Sequence, residues 1–180
     1  MIIGLVGEKL SGKSTVIADH LVKNYGFKVV SHADPIKNML RVIGLTDDHI
    51  SGSLKDVPCG LLCGRTPRWA MQSLGGDWGR DLIHPDLWVN LWSIKSSGAG
   101  NVVADGVRFS NEVEAIKKMG GITIKIRRPS IEGGSSHSTE RHVAGIRTDH
   151  EIVNEEGDRQ KAVNELDAVL KEYTGLLFNK

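Results

Sequence analysis

An α/β fold in three layers is what this sequence predicts, with a parallel five-stranded sheet and helices on both faces. Three observations carry the prediction. The chain opens on "IIGLVG", a short and continuously apolar run of the kind a central parallel strand needs, because both of its faces are buried. A glycine-rich turn follows, then a stretch with apolar residues at helical spacing. Apolar runs and amphipathic stretches then alternate to the end of the chain, as right-handed strand–helix–strand crossovers require.

Each element has its own local reason. Met1 to Val6 is the first strand. Ser14 to Tyr25 reads as a helix, with Val16, Ile17, Leu21 and Val22 on one face and Gly26 as its stop. "FKVVSHAD", from Phe27 to Asp34, is a second strand ending in polar residues. Pro35 opens a short helix that closes at Gly44. Residues 45–64 carry many Gly, Asp and Ser with weak periodicity, which predicts a loop or insertion. Thr66 and Pro67 form an N-cap and first-turn pair that starts a helix reaching Leu74. Another helix spans Pro85 to Gly98. Val102 to Ala104 is a third buried strand, ending at Asp105. "SNEVEAIKKMGG" is an amphipathic helix closed by two glycines, and "ITIKIRRP" a fourth strand. Ser130 to Thr148 is polar, glycine-rich and without a core pattern. "HEIVNEEG" supplies the fifth strand, and Gln160 to Tyr173 the last helix. The expected organisation is a single domain over residues 1–180, with a helical region at about 35–98 and a lid at about 130–148.

Composition sets the bounds. The 180 residues are 39% hydrophobic and 25% charged, enough for one domain with a sizeable core. A formal net charge of +1 gives no electrostatic case for a nucleic acid polymer or a membrane surface. Cys59 and Cys63 are spaced C-x-x-x-C without the further ligands a zinc site needs, so they read as reduced thiols. No stretch approaches the roughly 20 apolar residues that cross a bilayer, and the opening run is too short for a signal peptide. A cytoplasmic location is expected.

The turn after the first strand is "GEKLSGKS", Gly7 to Ser14, with the spacing G-x-x-x-x-G-K-[ST]. Between a strand and a helix this is a phosphate-binding loop. Its glycines let consecutive N–H groups face phosphate oxygens, and the following helix adds its positive end. Lys13 would contact the β- and γ-phosphates of ATP, and the Ser14 hydroxyl would ligate Mg²⁺. The fold class sharpens to a P-loop NTPase-type three-layer fold. In such sheets ligands bind at the C-terminal strand edge, and Asp34, Asp105 and Arg108 fall just past strand ends on that edge. No N-K-x-D segment for guanine reading is present, and the chain is short for a motor ATPase. A kinase for a small phosphorylated acceptor fits its length and its edge arginines.

Four segments together resemble the deoxynucleoside monophosphate kinases of tailed bacteriophages: "GEKLSGKST", "ADPIKNML", "TPRWAMQSLGGDWGR" followed by "DLWV", and "VVADGVRFSNEVEAIKKMGGITIKIRRP". A fifth, "HSTERHVAGIRTDHEIVNEEG", is similar to that family's H-x-[ST]-E stretch followed by an Asp/His-containing strand and an Asn. The R-x-x-x-Q-x-L-G run from Arg68 to Gly75 is the most specific part.

The resemblance implies transfer of the ATP γ-phosphoryl to a deoxynucleoside monophosphate, with Mg²⁺, and it suggests a homodimer. It implies that Gly7, Ser11, Gly12, Lys13, Ser14, Thr15 and Arg127 hold ATP, and that Lys9 and Lys37 help hold nucleotide phosphates. Arg68 would grip the acceptor phosphate, a group its guanidinium fork suits. Gln72 would bond the base or sugar, with Gly75 in the same run, and Trp88 would line the pocket. Asp105, Arg108 and Arg128 would stand with Lys13 at the transferring phosphate, and Glu140 would face the acceptor.

The family commonly reads D-V-R-F-x-N-E where this chain reads "DGVRFSNE". Either the strand end is one residue longer here, or the carboxylate role is displaced. Trp69, Trp78, Trp88 and Trp92 stand at helical spacings, which favours core packing for most of them. His137 and His142 read as solvated loop residues. Two other readings remain: a kinase of the same fold for another acceptor, such as a coenzyme A precursor, and a nucleotide-binding protein without turnover.

Overall fold

The computed structural model of the protein describes residues 1–131, 143 and 145–177. These fall into two compact units, Met1–Ser31 with Lys95–Lys180, and His32–Ile94.

The first unit holds the sheet. Its strands are β1 (Ile2–Val6), β2 (Lys28–Val29), β3 (Val102–Val107), β4 (Ile122–Arg127) and β5 (His150–Val153). All neighbours pair in parallel, in the order β2-β3-β1-β4-β5. β1 is central and buried along its whole length, which is why it can be continuously apolar. Helix α1 follows the glycine turn. It begins with wide π-type turns at Lys13–Ala18 and continues as regular helix over Asp19–Tyr25. The widening starts at Gly12, whose carbonyl accepts from both Val16 N (2.9 Å) and Ile17 N (3.3 Å). Val16, Ile17 and Leu21 meet Ile3, Leu5, Ile124 and Ile126 of the sheet in one apolar core. Leu166 and Leu170, from the last helix, are part of the same core.

The second unit is helical. It contains α2 (Asp34–Val42), α3 (Asp47–Ile50), α4 (Pro67–Ser73) and most of α5 (Leu87–Ser96). The remaining helices, α6 (Ser110–Lys118) and α7 (Arg159–Leu177), return to the first unit. The Thr66 hydroxyl accepts from Trp69 N at 3.1 Å, the N-cap that a Thr-Pro pair announces. Ile36, Leu40, Leu45, Ile50, Ala70 and Trp88 make this unit's own core.

Four sequence expectations are corrected. β2 is only two residues long and both are exposed, so Asp34 opens α2 instead of closing a strand. Residues 45–64 are not a plain loop: α3 and single 3-10 turns at Ser53–Asp56 and Gly60–Leu62 occupy them, because Leu45 and Ile50 are drawn into the core. α4 does not stop at Leu74 but runs on through a π-wound stretch, Leu74–Ile83. β3 reaches Val107, past Asp105. Trp88 and Trp92 are buried, whereas Trp69 and Trp78 are 47% and 38% exposed.

Candidate active site

The glycine turn lies at the C-terminal end of β1. Gly7 has φ 152° and Gly12 φ 91°, backbone conformations that an L side chain rarely adopts. Space forbids a side chain as well. A Cβ at Gly7 would collide with the Ile126 carbonyl oxygen, and one at Gly12 with Asn154 Nδ2. Leu10, in the same turn, also has positive φ (68°) and is largely exposed. A leucine held there costs about 1–2 kcal/mol, strain of the kind found where a loop is shaped for a ligand.

Lys13 is only 8% exposed and folds back into the loop. Its ammonium donates to Gly7 O (2.7 Å), Glu8 O (2.6 Å) and Ser11 Oγ (3.3 Å). Three carbonyls here are braced by side chains from later in the chain. Arg128 Nη1 donates to Leu10 O at 3.4 Å, Asn154 Nδ2 to Ser11 O at 2.8 Å, and Arg159 Nη2 to Thr15 O at 2.6 Å.

Asp105 reaches this loop through an irregularity in the sheet. Gly4 of β1 lies opposite Ala104, yet Val6 lies opposite Val107, so β3 carries one extra residue over that interval. This is a β-bulge at Asp105–Gly106. Asp105 Oδ2 accepts the Ser14 hydroxyl at 3.1 Å. Of the two alternatives left by "DGVRF", the longer strand is the one adopted. Just beyond it, the buried Glu112 carboxylate accepts from the Arg108 N–H (2.7 Å) and the Phe109 N–H (3.3 Å), and so caps α6.

Arg127 pairs with Glu151 at 2.9 Å, and Arg128 also reaches Glu156 at 3.3 Å. Lys9 and Thr15 are exposed, and Ser11 is buried. Glu140, His137, His142 and most of the expected lid lie outside the described residues.

Lys37, Arg68, Gln72, Gly75 and Trp88 belong to the second unit. Arg68 sets its guanidinium fork on the Asp56 carboxylate, through Nε and, at 2.8 Å, through Nη2. Gln72 is exposed one turn along the same helix. Trp88 is almost fully buried, and its Nε1 donates to Gly75 O at 2.7 Å. Its ring lies against Gly79, where any Cβ would overlap it. An apolar cleft of about 590 Å³ opens on this unit's surface, with Met39, Ile43, Trp69, Leu74 and Trp78 on its walls and Asp77 as its charged lining group.

Sequence reasoning missed Asn154 as a brace, Arg159, Asp56 and Gly79. Asn154 and Arg159 act on a loop more than a hundred residues away, and only the sheet order brings them there. Asp56 lies in the stretch 45–64, whose weak periodicity predicts a loop or insertion. Among the described residues there is no cluster of three metal-ligating side chains, and no helix is long and apolar enough to cross a membrane.

A parallel sheet in this order, with a glycine loop between β1 and α1 and a carboxylate on its serine, defines a phosphate-loop nucleotide-binding fold. Solved structures agree on the fold. Shikimate kinase from Aquifex aeolicus matches with a TM-score of 0.60, 16% identity and coverage of 97% of this chain and 99% of its own. The Acinetobacter baumannii shikimate kinase matches with a TM-score of 0.54, 17% identity and coverage of 95% and 93%. Residues 65–163 match the family described as deoxynucleotide monophosphate kinase. A protein of Acanthamoeba polyphaga mimivirus described as a deoxynucleotide monophosphate kinase is 35% identical over 165 residues, covering 82% of this chain and 84% of its own. The chain therefore belongs to the deoxynucleotide monophosphate kinase family, and it is a phosphotransferase.

Proposed function

We propose that this kinase moves the γ-phosphoryl group of ATP, with Mg²⁺, onto the 5′-phosphate of a deoxynucleoside monophosphate. The observation that carries the reading is the Ser14–Asp105 contact beside Lys13 in a glycine loop. Family membership supports a nucleotide as acceptor.

The residues present suit Mg²⁺. The Ser14 hydroxyl donates its hydrogen bond to Asp105, which leaves its oxygen lone pairs for a cation, and the carboxylate supplies compensating charge. Two hard oxygen groups suffice, because Mg²⁺ keeps several waters and takes phosphate oxygens as further ligands. When bound, it would neutralise charge on the β- and γ-phosphates.

The chain's own groups do the rest by position and charge. Amides of the Gly7 to Ser14 turn cradle the ATP phosphates. Lys13 exchanges the loop carbonyls it now holds for phosphate oxygens. Thr15 and Arg127 complete the ATP side. Arg108 and Arg128 stabilise charge on the transferring group, and Arg128 already lies against the loop at Leu10. Arg68 holds the acceptor phosphate in place of Asp56, and Lys9, Lys37, Gln72, Gly75 and Trp88 complete the acceptor side. No covalent intermediate on the enzyme is needed. We place the enzyme as a homodimer in the cytoplasm, that of the host cell if its source is a bacteriophage.

A coupled ADP-release assay tests the reading with each deoxy- and ribonucleoside monophosphate, and with dephospho-coenzyme A. Turnover with one or more deoxynucleoside monophosphates is expected. ADP release only with the coenzyme A precursor, or ATP binding with no acceptor-dependent release, would overturn it.

A further inference from the structure

Asn154 follows β5 and is 3% exposed. Its main-chain N–H continues the pairing with β4 by donating to Arg127 O at 2.8 Å. Its side chain does something the sheet does not need. Nδ2 leaves the strand and donates to Ser11 O, 143 residues earlier, at 2.8 Å. The same amide nitrogen fills the place a Cβ at Gly12 would take. Its Oδ1 is buried and has no hydrogen-bond partner among the described residues. A buried acceptor left unpaired costs about 1–3 kcal/mol, so packing alone would be better served by an apolar side chain. The Nδ2 contact offers a physical reason for an amide at this position.

A trans peptide is planar, and its C=O and N–H point in opposite directions. Holding Ser11 O therefore fixes the Gly12 N–H to point away from Asn154. The orientation of the Ser11–Gly12 peptide is set by ψ of Ser11 and φ of Gly12, and Gly12 (φ 91°) is a residue type that populates φ of either sign readily. We infer that Asn154 is a positioning residue for phosphoryl transfer: it locks the Ser11–Gly12 peptide so that the Gly12 N–H is presented to the ATP phosphates. This rests on the reading of Gly7 to Ser14 as the phosphate loop.

Asn154→Asp tests it, because the shape is kept while the donor facing Ser11 O becomes an acceptor. Steady-state kinetics and MgATP titration are run beside Lys13→Ala, with thermal midpoints recorded for both. The expected result is a folded Asn154→Asp enzyme whose KM for ATP rises by about tenfold or more. Its KM for the monophosphate should stay within about twofold. An unchanged KM for ATP, or an equal rise in both constants, overturns the inference while a weakened Lys13→Ala leaves the phosphate-loop reading standing. If Lys13→Ala binds MgATP as tightly as the parent, the loop reading itself falls and takes the inference with it. Should Asn154→Asp fail to fold, Asn154→Ala is judged by the same two constants, since it keeps the main-chain bond to Arg127. Failure of both to fold would make Asn154 a folding residue and overturn the proposal.

Discussion

The Ser14 hydroxyl donates to the Asp105 carboxylate at 3.1 Å, across 91 residues of sequence. β1 leads directly into the turn that carries Ser14, and β3 is its neighbour in the sheet. Neighbouring strands still do not guarantee the contact. The extra residue in β3 between Ala104 and Val107 adjusts the strand end where the carboxylate leaves it. This chain's "DGVRF" thus brings a carboxylate to the phosphate-loop serine although the aspartate stands one residue earlier than the family pattern has it.

Asp105→Asn should keep the hydrogen bond and lose the charge. Activity or Mg²⁺ affinity is expected to fall about 10–100-fold, as when a group supporting a metal ligand is changed. A Mg²⁺ titration of initial rates reads this. An unchanged curve would remove Asp105 from the cation site.

Lys13→Ala should leave the fold intact, since its ammonium bonds groups of the loop itself and the apolar core of the sheet is built by other residues. Phosphoryl transfer should drop by about 10²-fold or more, the scale of losing a preorganised charge-stabilising group. Circular dichroism and the coupled assay together decide it. A folded variant with near-normal turnover refutes the role.

Arg68→Ala should raise KM for the monophosphate far more than KM for ATP. A charge-assisted phosphate contact is worth about 1.5–3 kcal/mol, roughly 10- to 150-fold. The Asp56 carboxylate competes for the same fork, so Asp56→Ala should shift KM for the monophosphate downward. That shift should reach at most about fivefold, because a pair this exposed is worth roughly 0.2–1 kcal/mol. Equal effects on both substrates would move Arg68 out of the acceptor site.

Gly79→Ala should destabilise the second unit. The added methyl would overlap the Trp88 indole, and overpacking of this kind costs about 1–3 kcal/mol. Chemical denaturation followed by tryptophan fluorescence should show a lowered midpoint. No change would mean the helix shifts freely around Trp88.

Stability should respond to acid through Asp149. Partial burial pushes its carboxyl up, but hydrogen bonds from Lys117 and from the Thr123 side chain and N–H outweigh this and hold it below its ordinary value of 3.8. A depressed pKa in the folded state means stability that is present above the unfolded value and lost as pH falls through the folded one. Wild type should therefore exceed Asp149→Asn at pH 7, and the gap should close as pH drops below about 3.8. A gap that stays constant with pH would show that the carboxylate charge contributes nothing.

The sequence by itself determined the sheet strands, the loop and the class of chemistry. A central parallel strand is buried on both faces, so β1 must read as an unbroken apolar run, and "IIGLV" does. The loop is legible for a similar reason: Gly7 and Gly12 occupy backbone conformations and spaces that exclude side chains, so its spacing cannot drift. Such signals are local, because each is imposed by a residue's own backbone or its immediate turn. The braces on the loop are not local. Asn154 and Arg159 reach Ser11 and Thr15 only because β5 and α7 belong to the same unit as β1, and no spacing along the chain encodes that. Length errors have the same origin. β2 is two residues long although "FKVVSHAD" reads as a longer strand, because after the Val30 N–H donates to Val103 O at 3.0 Å the chain leaves the sheet and enters α2 at Asp34. Residues 45–64 fold into helical turns despite weak periodicity, because Leu45 and Ile50 are buried against partners from α2, α4 and α5. Burial by distant partners overrides local propensity, and only the tertiary structure decides where that happens.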